Sequence, residues 1–266
     1  MIIFSTYNRF RCPFIPYFKY KTNQIFYQIK DVKTKRTIIF IHGSGGISNA
    51  WKNQFDIKIR CNIIAIDLPS HGKSDKIAEL NLELYVDVVR ELVIFLKIKD
   101  VILAGNSLGG AVIQEYYFKY PDEVSALLLI GTGGRLRVKP QIFDSLKKDY
   151  PAFLESLEGA FSEKTDKSLI DAYSRESSEI SPEVTFSDFT ICDNFDTLDK
   201  TSTIDIPCLI ICGIDDLLTP VKYSEYFHKK LKNSELVLIE NAGHKAMLEK
   251  PTDVNNSIEN FITKFL

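Results

Sequence analysis

The sequence predicts an α/β chain built on a mostly parallel sheet. Three observations lead there. Short, continuously apolar runs recur along the chain, as strands covered on both faces require. Longer stretches between them place apolar residues at helical spacing. The residues with chemical potential follow the ends of those apolar runs, where an open α/β sheet gathers its site.

Taken in order, residues 14–30 read as a hairpin-like pair with Asn23 near the turn, and "RTIIFIHG" as a strand over 37–42 that stops at glycine. Further strands are predicted at 61–67, 100–106, 124–130, 207–213 and 235–240. Helices are predicted between them. In "NLELYVDVVRELVIFLKI" the residues Leu84, Val88, Leu92 and Phe95 recur on one helical face. "LGGAVIQEYYFKY" can be helical up to Pro121, "PVKYSEYFHKKL" opens on Pro220 at a first-turn position, and 252–265 closes the chain as a helix.

The alternation breaks between about 133 and 200, where helical candidates follow one another without a convincing strand. A bare loop of that length is uncommon in a compact domain. Residues 135–196 are therefore expected to form a helical cap over one end of the sheet, between core segments 1–134 and 197–266. Phe143, Phe153 and Phe161 are its expected pocket-lining residues.

Composition narrows the function. With 266 residues, one catalytic domain plus a modest insertion fits. Thirty-three Lys+Arg against 35 Asp+Glu leave a formal charge of -2, so no global basic footprint invites nucleic acid. Five scattered cysteines, at 12, 61, 192, 208 and 212, fit free thiols better than a disulfide framework. The first apolar run stops after Phe4, and no stretch of eighteen mostly apolar residues occurs. A standard signal peptide and stable membrane insertion are thus not expected, and cytoplasmic residence is the default expectation. Oligomeric state is left open.

The sharpest local pattern is Gly105–Asn106–Ser107–Leu108–Gly109, a G-x-S-x-G run between a buried strand and a helix. It presents a serine hydroxyl on a tight turn, and its small neighbours let the backbone bend. The plainer alternative, a glycine-bracketed serine that merely caps a helix, is disfavoured by the strand before it and the helix after it. No Walker lysine and no G-x-G-x-x-G accompany "HGSGGISNA", which leaves nucleotide binding weak. A serine nucleophile needs a base. Of four histidines, His228 sits among lysines, while His42 and His71 adjoin glycines at other strand ends. His244 alone follows a candidate acid in the order Ser…Asp…His. Asp215 and Asp216 both follow an apolar strand, and spacing alone does not choose between them. No H-E-x-x-H or close Cys/His cluster calls for a metal, and no cofactor is implied.

These segments together resemble the α/β-hydrolase fold family over nearly all of the chain outside the middle insertion. The matching pieces are "HGSGG" at 42–46, "DLPSHGKS" at 67–74, "GNSLGG" around Ser107, "GIDDLLTP" at 213–220 and "AGH" ending at His244. The resemblance implies an eight-stranded sheet with a catalytic triad of Ser107, Asp216 and His244. Asp216 is favoured because Gly213, Asp216 and Pro220 stand in the family's register. It also implies an oxyanion hole from the Ser44 and Leu108 amides. In the Asp67, Gly72, Ser74 segment, Ser70 replaces the family's first glycine.

The implied activity is that of a serine carboxylesterase acting on small to medium acyl esters, with a small-molecule ester as its partner. Carbon–carbon bond hydrolases of vinylogous diketones share much of the pattern. They commonly carry tryptophan after the catalytic histidine, where this chain has Lys245. A hydrolase-fold binding protein without turnover is the third reading, since fold alone does not establish catalysis.

Overall fold

The computed structural model describes residues 16–265. Cys12 and the first residues of the expected hairpin lie outside them. The sheet has eight strands: β1 (Tyr17–Tyr20), β2 (Asn23–Lys30), β3 (Arg36–Ile41), β4 (Asn62–Ile66), β5 (Asp100–Asn106), β6 (Val124–Ile130), β7 (Cys208–Gly213) and β8 (Ser234–Ile239). Their order is β1-β2-β4-β3-β5-β6-β7-β8. The β1–β2 and β2–β4 pairs are antiparallel and the remaining five are parallel. Asn23 opens β2; the hairpin turn itself is at Lys21–Thr22, where Lys21 takes φ 54°.

Alternation along each strand supplies two cores. In β3, Ile39 and Ile41 join Leu103, Leu127 and Leu129 on one face, packed by α1 (Leu82–Phe95) and α2 (Leu108–Lys119). Ile38 and Phe40 join Ile102, Leu128 and Ile211 on the other, with Trp51 and residues of α9 (Pro251–Phe265). Each such fully buried side chain contributes about 1.5–3 kcal/mol relative to exposure. That is why both parities of these strands are apolar and why their limits were predicted to within a residue.

The order of connection positions the site. From β3 the chain first pairs β4 on one side, and β5 then pairs on the other side of β3. This reversal leaves a crevice at the carboxyl ends of β3 and β5, the topological switch point of an open parallel sheet. The loop starting at His42 follows β3, and Ser107 follows β5.

Between β6 and β7 the chain forms α3 (Pro140–Lys148), α4 (Tyr150–Ser156), α5 (Lys167–Ser178) and α6 (Pro182–Asn194). Pro140, Pro151 and Pro182 each occupy the first turn of a helix, where the missing N–H has no intrahelical acceptor to lose. An isolated antiparallel bridge between Arg135 and Asp196 joins the two ends of this insertion. After β7 come α7 (Val221–Lys230), with Pro220 just before it rather than inside it, and the short α8 (Ala246–Glu249). No described helix is long and apolar enough to cross a membrane.

Candidate active site

Ser107 sits at the β5–α2 junction with φ 55° and ψ −116°, a left-handed conformation for a residue that has a Cβ. Such backbone strain costs of order 1–3 kcal/mol and persists only where the surroundings enforce it. Here they do. The Ser107 amide donates to the carbonyls of Ile130 and Gly131, and Thr132 Oγ1 donates to the Ser107 carbonyl at 2.9 Å. The bend also demands glycine on either side. A Cβ on Gly105 would lie 2.2 Å from the Gly109 carbonyl oxygen, and one on Gly109 would lie 2.2 Å from that of Ile41.

His244 lies on the loop after β8. Its Nδ1 is 2.9 Å from Asp216 Oδ2, and both residues are buried. Asp216 also accepts the Leu218 and Thr219 amides on Oδ1, each at 2.8 Å, and the Thr219 hydroxyl on Oδ2 at 2.8 Å. The same hydroxyl is 3.2 Å from His244 Nδ1. Burial pulls the Asp216 carboxyl upward. The attraction of His244 and the hydrogen bonds from His244 and Thr219 outweigh it, holding the group below the ordinary carboxylate range.

Asp215 is turned elsewhere, its Oδ2 accepting Ser162 Oγ at 2.5 Å. Two acids adjacent in sequence thus have separate partners. Glu249 fixes the histidine loop by accepting the Gly243 and Lys245 amides, and it reaches the insertion through the Ser162 amide at 2.9 Å.

The other histidines have local roles. His42 Nε2 accepts the Leu68 amide at 3.1 Å, and its Nδ1 lies 2.9 Å from the Gly43 carbonyl. His228 is exposed beside Ser234. His71 belongs to a network that sequence reasoning missed. Asp188, from α6 of the insertion, is fully buried. Its Oδ2 accepts the Gly45 amide at 2.8 Å and lies 2.9 Å from His71 Nε2; its Oδ1 accepts Tyr85 Oη at 2.7 Å. Ser44 Oγ lies 3.5 Å from Cys192 Sγ, also on α6. The loop that follows His42 is therefore held from above by the insertion. Burial alone would raise Asp188; the neighbouring His71 reverses this and keeps it below its ordinary value.

The Asp67 segment serves as a brace for the same loop. Asp67 accepts the Ser48 amide at 2.6 Å and the Lys73 amide at 2.9 Å, and Ser74 Oγ donates to the Asp67 carbonyl at 2.6 Å. Ser70, where the family has glycine, takes φ 68°. Its hydroxyl exchanges hydrogen bonds with Ile77, accepting its N–H at 2.9 Å and donating to its carbonyl at 3.2 Å, which offsets the strain.

Ser44, Ser107, His244, Thr219 and Lys245 all line one cavity of about 330 Å³. Its apolar wall comes largely from the insertion, including Ile142, Phe153, Leu157 and Phe189. Of the three phenylalanines expected there, Phe153 is in the wall. Phe143 instead packs on Phe186, with ring centroids 5.2 Å apart, and Phe161 packs on Tyr173 at 5.4 Å beneath the Gly243 backbone. Phe143 stands on the side of α3 that meets α6, and Phe161, in extended backbone just after the turn Leu157–Ala160, is taken up by Tyr173 of α5. Leu108 opens α2, so its N–H has no intrahelical acceptor.

Comparison with known proteins bears on the family and the fold. A protein of Mycoplasma pneumoniae named as an esterase/lipase is 27% identical over 236 residues, covering 83% of this chain and 87% of its own. A 2-hydroxy-6-oxononadienedioate/2-hydroxy-6-oxononatrienedioate hydrolase of Paraburkholderia phymatum is 26% identical over 259 residues, covering 86% of this chain and 87% of its own. The solved structure of a thermophilic esterase superposes with a TM-score of 0.84 at 35% identity, over 94% of this chain and 97% of that one. Relatives named as esterases support hydrolytic activity. The model of the family described as the alpha/beta hydrolase fold matches residues 36–251, and the chain belongs to that family.

Proposed function

We propose that the protein is a serine carboxylesterase acting on small to medium acyl esters. The observation that carries this is the strained Ser107 opening onto the same cavity as His244, whose far nitrogen is held by Asp216. In this reading His244 takes the Ser107 proton as the hydroxyl oxygen attacks the ester carbonyl. Negative charge then develops on the carbonyl oxygen, and the Ser44 and Leu108 amides stabilise it. His244 returns the proton to the leaving alcohol, giving an acyl-enzyme. It next deprotonates a water that attacks the acyl carbon, and the released Ser107 oxygen recovers the proton as the acid departs. Asp216, ionised and hydrogen-bonded, keeps Nδ1–H directed away from the reaction and supports the transient imidazolium. The insertion walls the acyl pocket and excludes bulk water, which strengthens these electrostatics.

The test is labelling with a fluorophosphonate alongside turnover of a panel of alkyl esters. Stoichiometric labelling at Ser107, and a loss of kcat of at least ~10³-fold in folded Ser107→Ala and His244→Ala, are expected. Near-wild-type turnover by folded Ser107→Ala would defeat the nucleophile assignment. Carbon–carbon cleavage of vinylogous diketones is the second reading, supported by the relative named for that substrate class. Lys245, where such enzymes commonly carry tryptophan, weighs against it. Turnover of diketones with no ester hydrolysis would reverse the order of the two.

A further inference from the structure

Lys245 is a cation in an unusual position. It is only 5% exposed, directly follows His244, and lines the same cavity as Ser107. Its Nζ donates to Asn106 Oδ1 at 3.0 Å and stands 5.1 Å from the centroid of the Tyr173 ring. Asn106 is in turn anchored, its Nδ2 donating to the carbonyls of Ile130 at 3.1 Å and His244 at 3.2 Å. Among the described residues no carboxylate lies within salt-bridge range of the Lys245 ammonium, and none lines the cavity. The group carries three N–H donors, of which Asn106 takes one. Buried charges are ordinarily paired, because an ammonium removed from water without an opposite charge is costly. A lysine kept under these conditions beside a reacting centre has the chemistry of an anion receptor.

Its place in the cavity selects which part of a substrate would carry the anion. Asn106 immediately precedes Ser107, and Tyr173 belongs to the buried face of α5, so the ammonium is at the inner end. The exposed Leu217 and Leu218, together with Arg137 and Lys139, stand at the outer rim. An acyl group on Ser107 that extends inward meets Lys245, while the alcohol leaves toward the rim.

We propose that Lys245 is a specificity-determining residue that binds a carboxylate on the acyl side of the substrate, so that the preferred substrates are monoesters of short dicarboxylic acids. This rests on the esterase reading above and names its substrate class. A charge-assisted hydrogen bond formed in a water-poor cavity is sufficient for about tenfold discrimination or more against a neutral acyl group. An aliphatic side chain at 245 would fill the space without the charge, and arginine would restore charge with altered geometry.

The experiment compares monoethyl succinate with ethyl pentanoate, following proton release at constant pH, for the wild type, Lys245→Met and Lys245→Arg. The wild type should favour the monoethyl succinate in kcat/KM by about tenfold or more. Lys245→Met should lower that ratio by at least about tenfold, and Lys245→Arg should retain part of it. Calorimetric titration with succinate reads the anion site without turnover. Binding by the wild type that weakens about tenfold in Lys245→Met supports the proposal even if no ester is hydrolysed, in which case the esterase reading alone fails. A wild-type preference for ethyl pentanoate together with no succinate binding overturns the anion site while leaving the esterase reading intact. The negative wild-type result overturns the proposal even if Lys245→Met does not fold, and Lys245→Arg then carries the assignment to residue 245, because Arg137 and Lys139 also line the cavity.

Discussion

Asp188 of the insertion accepts the backbone amide of Gly45 at 2.8 Å, tying α6 to the loop that carries Ser44. No other buried carboxylate joins the insertion to that loop among the described residues. Its remaining partners, His71 and Tyr85, belong to the core, so one side chain connects three separate core segments to the insertion. Asp188→Ala leaves the buried His71 Nε2 without its partner, Nδ1 keeping only the Pro69 carbonyl, and frees the Gly45 amide. We expect a destabilisation of about 3–5 kcal/mol, as for breaking other buried pairs. In the folded fraction, if the Ser44 amide is the oxyanion donor proposed above, kcat should fall by about tenfold or more as that amide is misplaced. Urea unfolding and ester kinetics check the two effects, and an unchanged kcat in a folded variant would mean that the Asp188 contact to Gly45 does not position a group used in turnover.

The same cluster sets a pH dependence of stability. Burial pulls His71 down, but Asp188 outweighs it, so the group titrates above its ordinary 6.5. His42, with its ring centroid 4.8 Å away, is pushed down to about 3 by burial and by the charge on His71. A raised histidine contributes its stability in full below pH 6.5 and loses it as pH climbs through the folded value. A depressed histidine removes stability as pH falls below 6.5, because only the unfolded chain then takes up the proton. Asp188, held low, loses its contribution only below its ordinary 3.8. These terms place a stability maximum near pH 6.5. Asp188→Asn removes the attraction that raises His71, so the decline on the alkaline side should vanish and the maximum move upward. Urea unfolding between about pH 5 and 7.5 reads this directly, below the range where unfolded thiols titrate. An unchanged profile in the variant would refute it.

How much of this was legible in the sequence depends on range. The strands were readable because a parallel strand buried on both faces carries its own mark in successive apolar residues, as in Ile38, Ile39, Phe40 and Ile41. Ser107 was readable because the elbow needs local glycines, and Gly105 and Gly109 flank it. The choice of Asp216 over Asp215 came from family register; in the structure Asp216 pairs with His244 and Asp215 with Ser162. Asp188 was not readable. Its partners are 143, 117 and 103 residues away, and nothing in "TFSDFTICDN" marks a carboxylate that will be buried. Thr219 escaped for a simpler reason: a threonine before a proline looks like a turn residue until its hydroxyl is seen between Asp216 and His244.

Separate partners for the two adjacent acids give separate mutational outcomes. Asp216→Asn removes the acceptor that fixes the His244 tautomer, and kcat should fall by ~10³-fold or more with little change in KM. Asp215→Asn disturbs only the Ser162 contact on the flank of the insertion and should cost less than about tenfold. Thermal unfolding of both variants precedes the kinetics. A larger kcat loss in Asp215→Asn than in Asp216→Asn would reverse the acid assignment.

Cys192 lines the cavity, yet its thiol is not expected to react. Burial drives it up to about 12, an effect that the hydrogen bond from Ser44 only partly opposes. Thiolate, the nucleophilic form, is therefore scarce at neutral pH. Iodoacetamide at pH near 8 should leave ester turnover intact over an hour, while a fluorophosphonate abolishes it. Rapid inactivation by iodoacetamide that substrate protects against would show a reactive thiol in the pocket.

Phe153 and Phe143 allow the acyl wall to be tested by contrast. Phe153 faces the cavity and is fixed between Tyr150, with ring centroids 5.7 Å apart, and Phe189, at 5.9 Å. Phe143 lies on the neighbouring helix α3 but packs on Phe186, outside the cavity wall. Both substitutions to alanine remove the same atoms, so a general loosening of the insertion would affect the two alike. Removing the Phe153 ring adds room where an acyl chain would run, and each methylene newly buried there is worth about 0.8 kcal/mol, or roughly fourfold in kcat/KM. Across ethyl esters from acetate to octanoate, Phe153→Ala should therefore move the optimum toward longer chains by about two carbons. Phe143→Ala should leave the optimum where it is, although its stability falls with the lost aromatic contact. Measurements belong well below the lower of the two unfolding midpoints, because Phe→Ala in a core typically costs 3–5 kcal/mol. Equal shifts in both variants would mean that the insertion influences chain length through its overall packing. No shift in Phe153→Ala would mean that the acyl chain does not run along this wall.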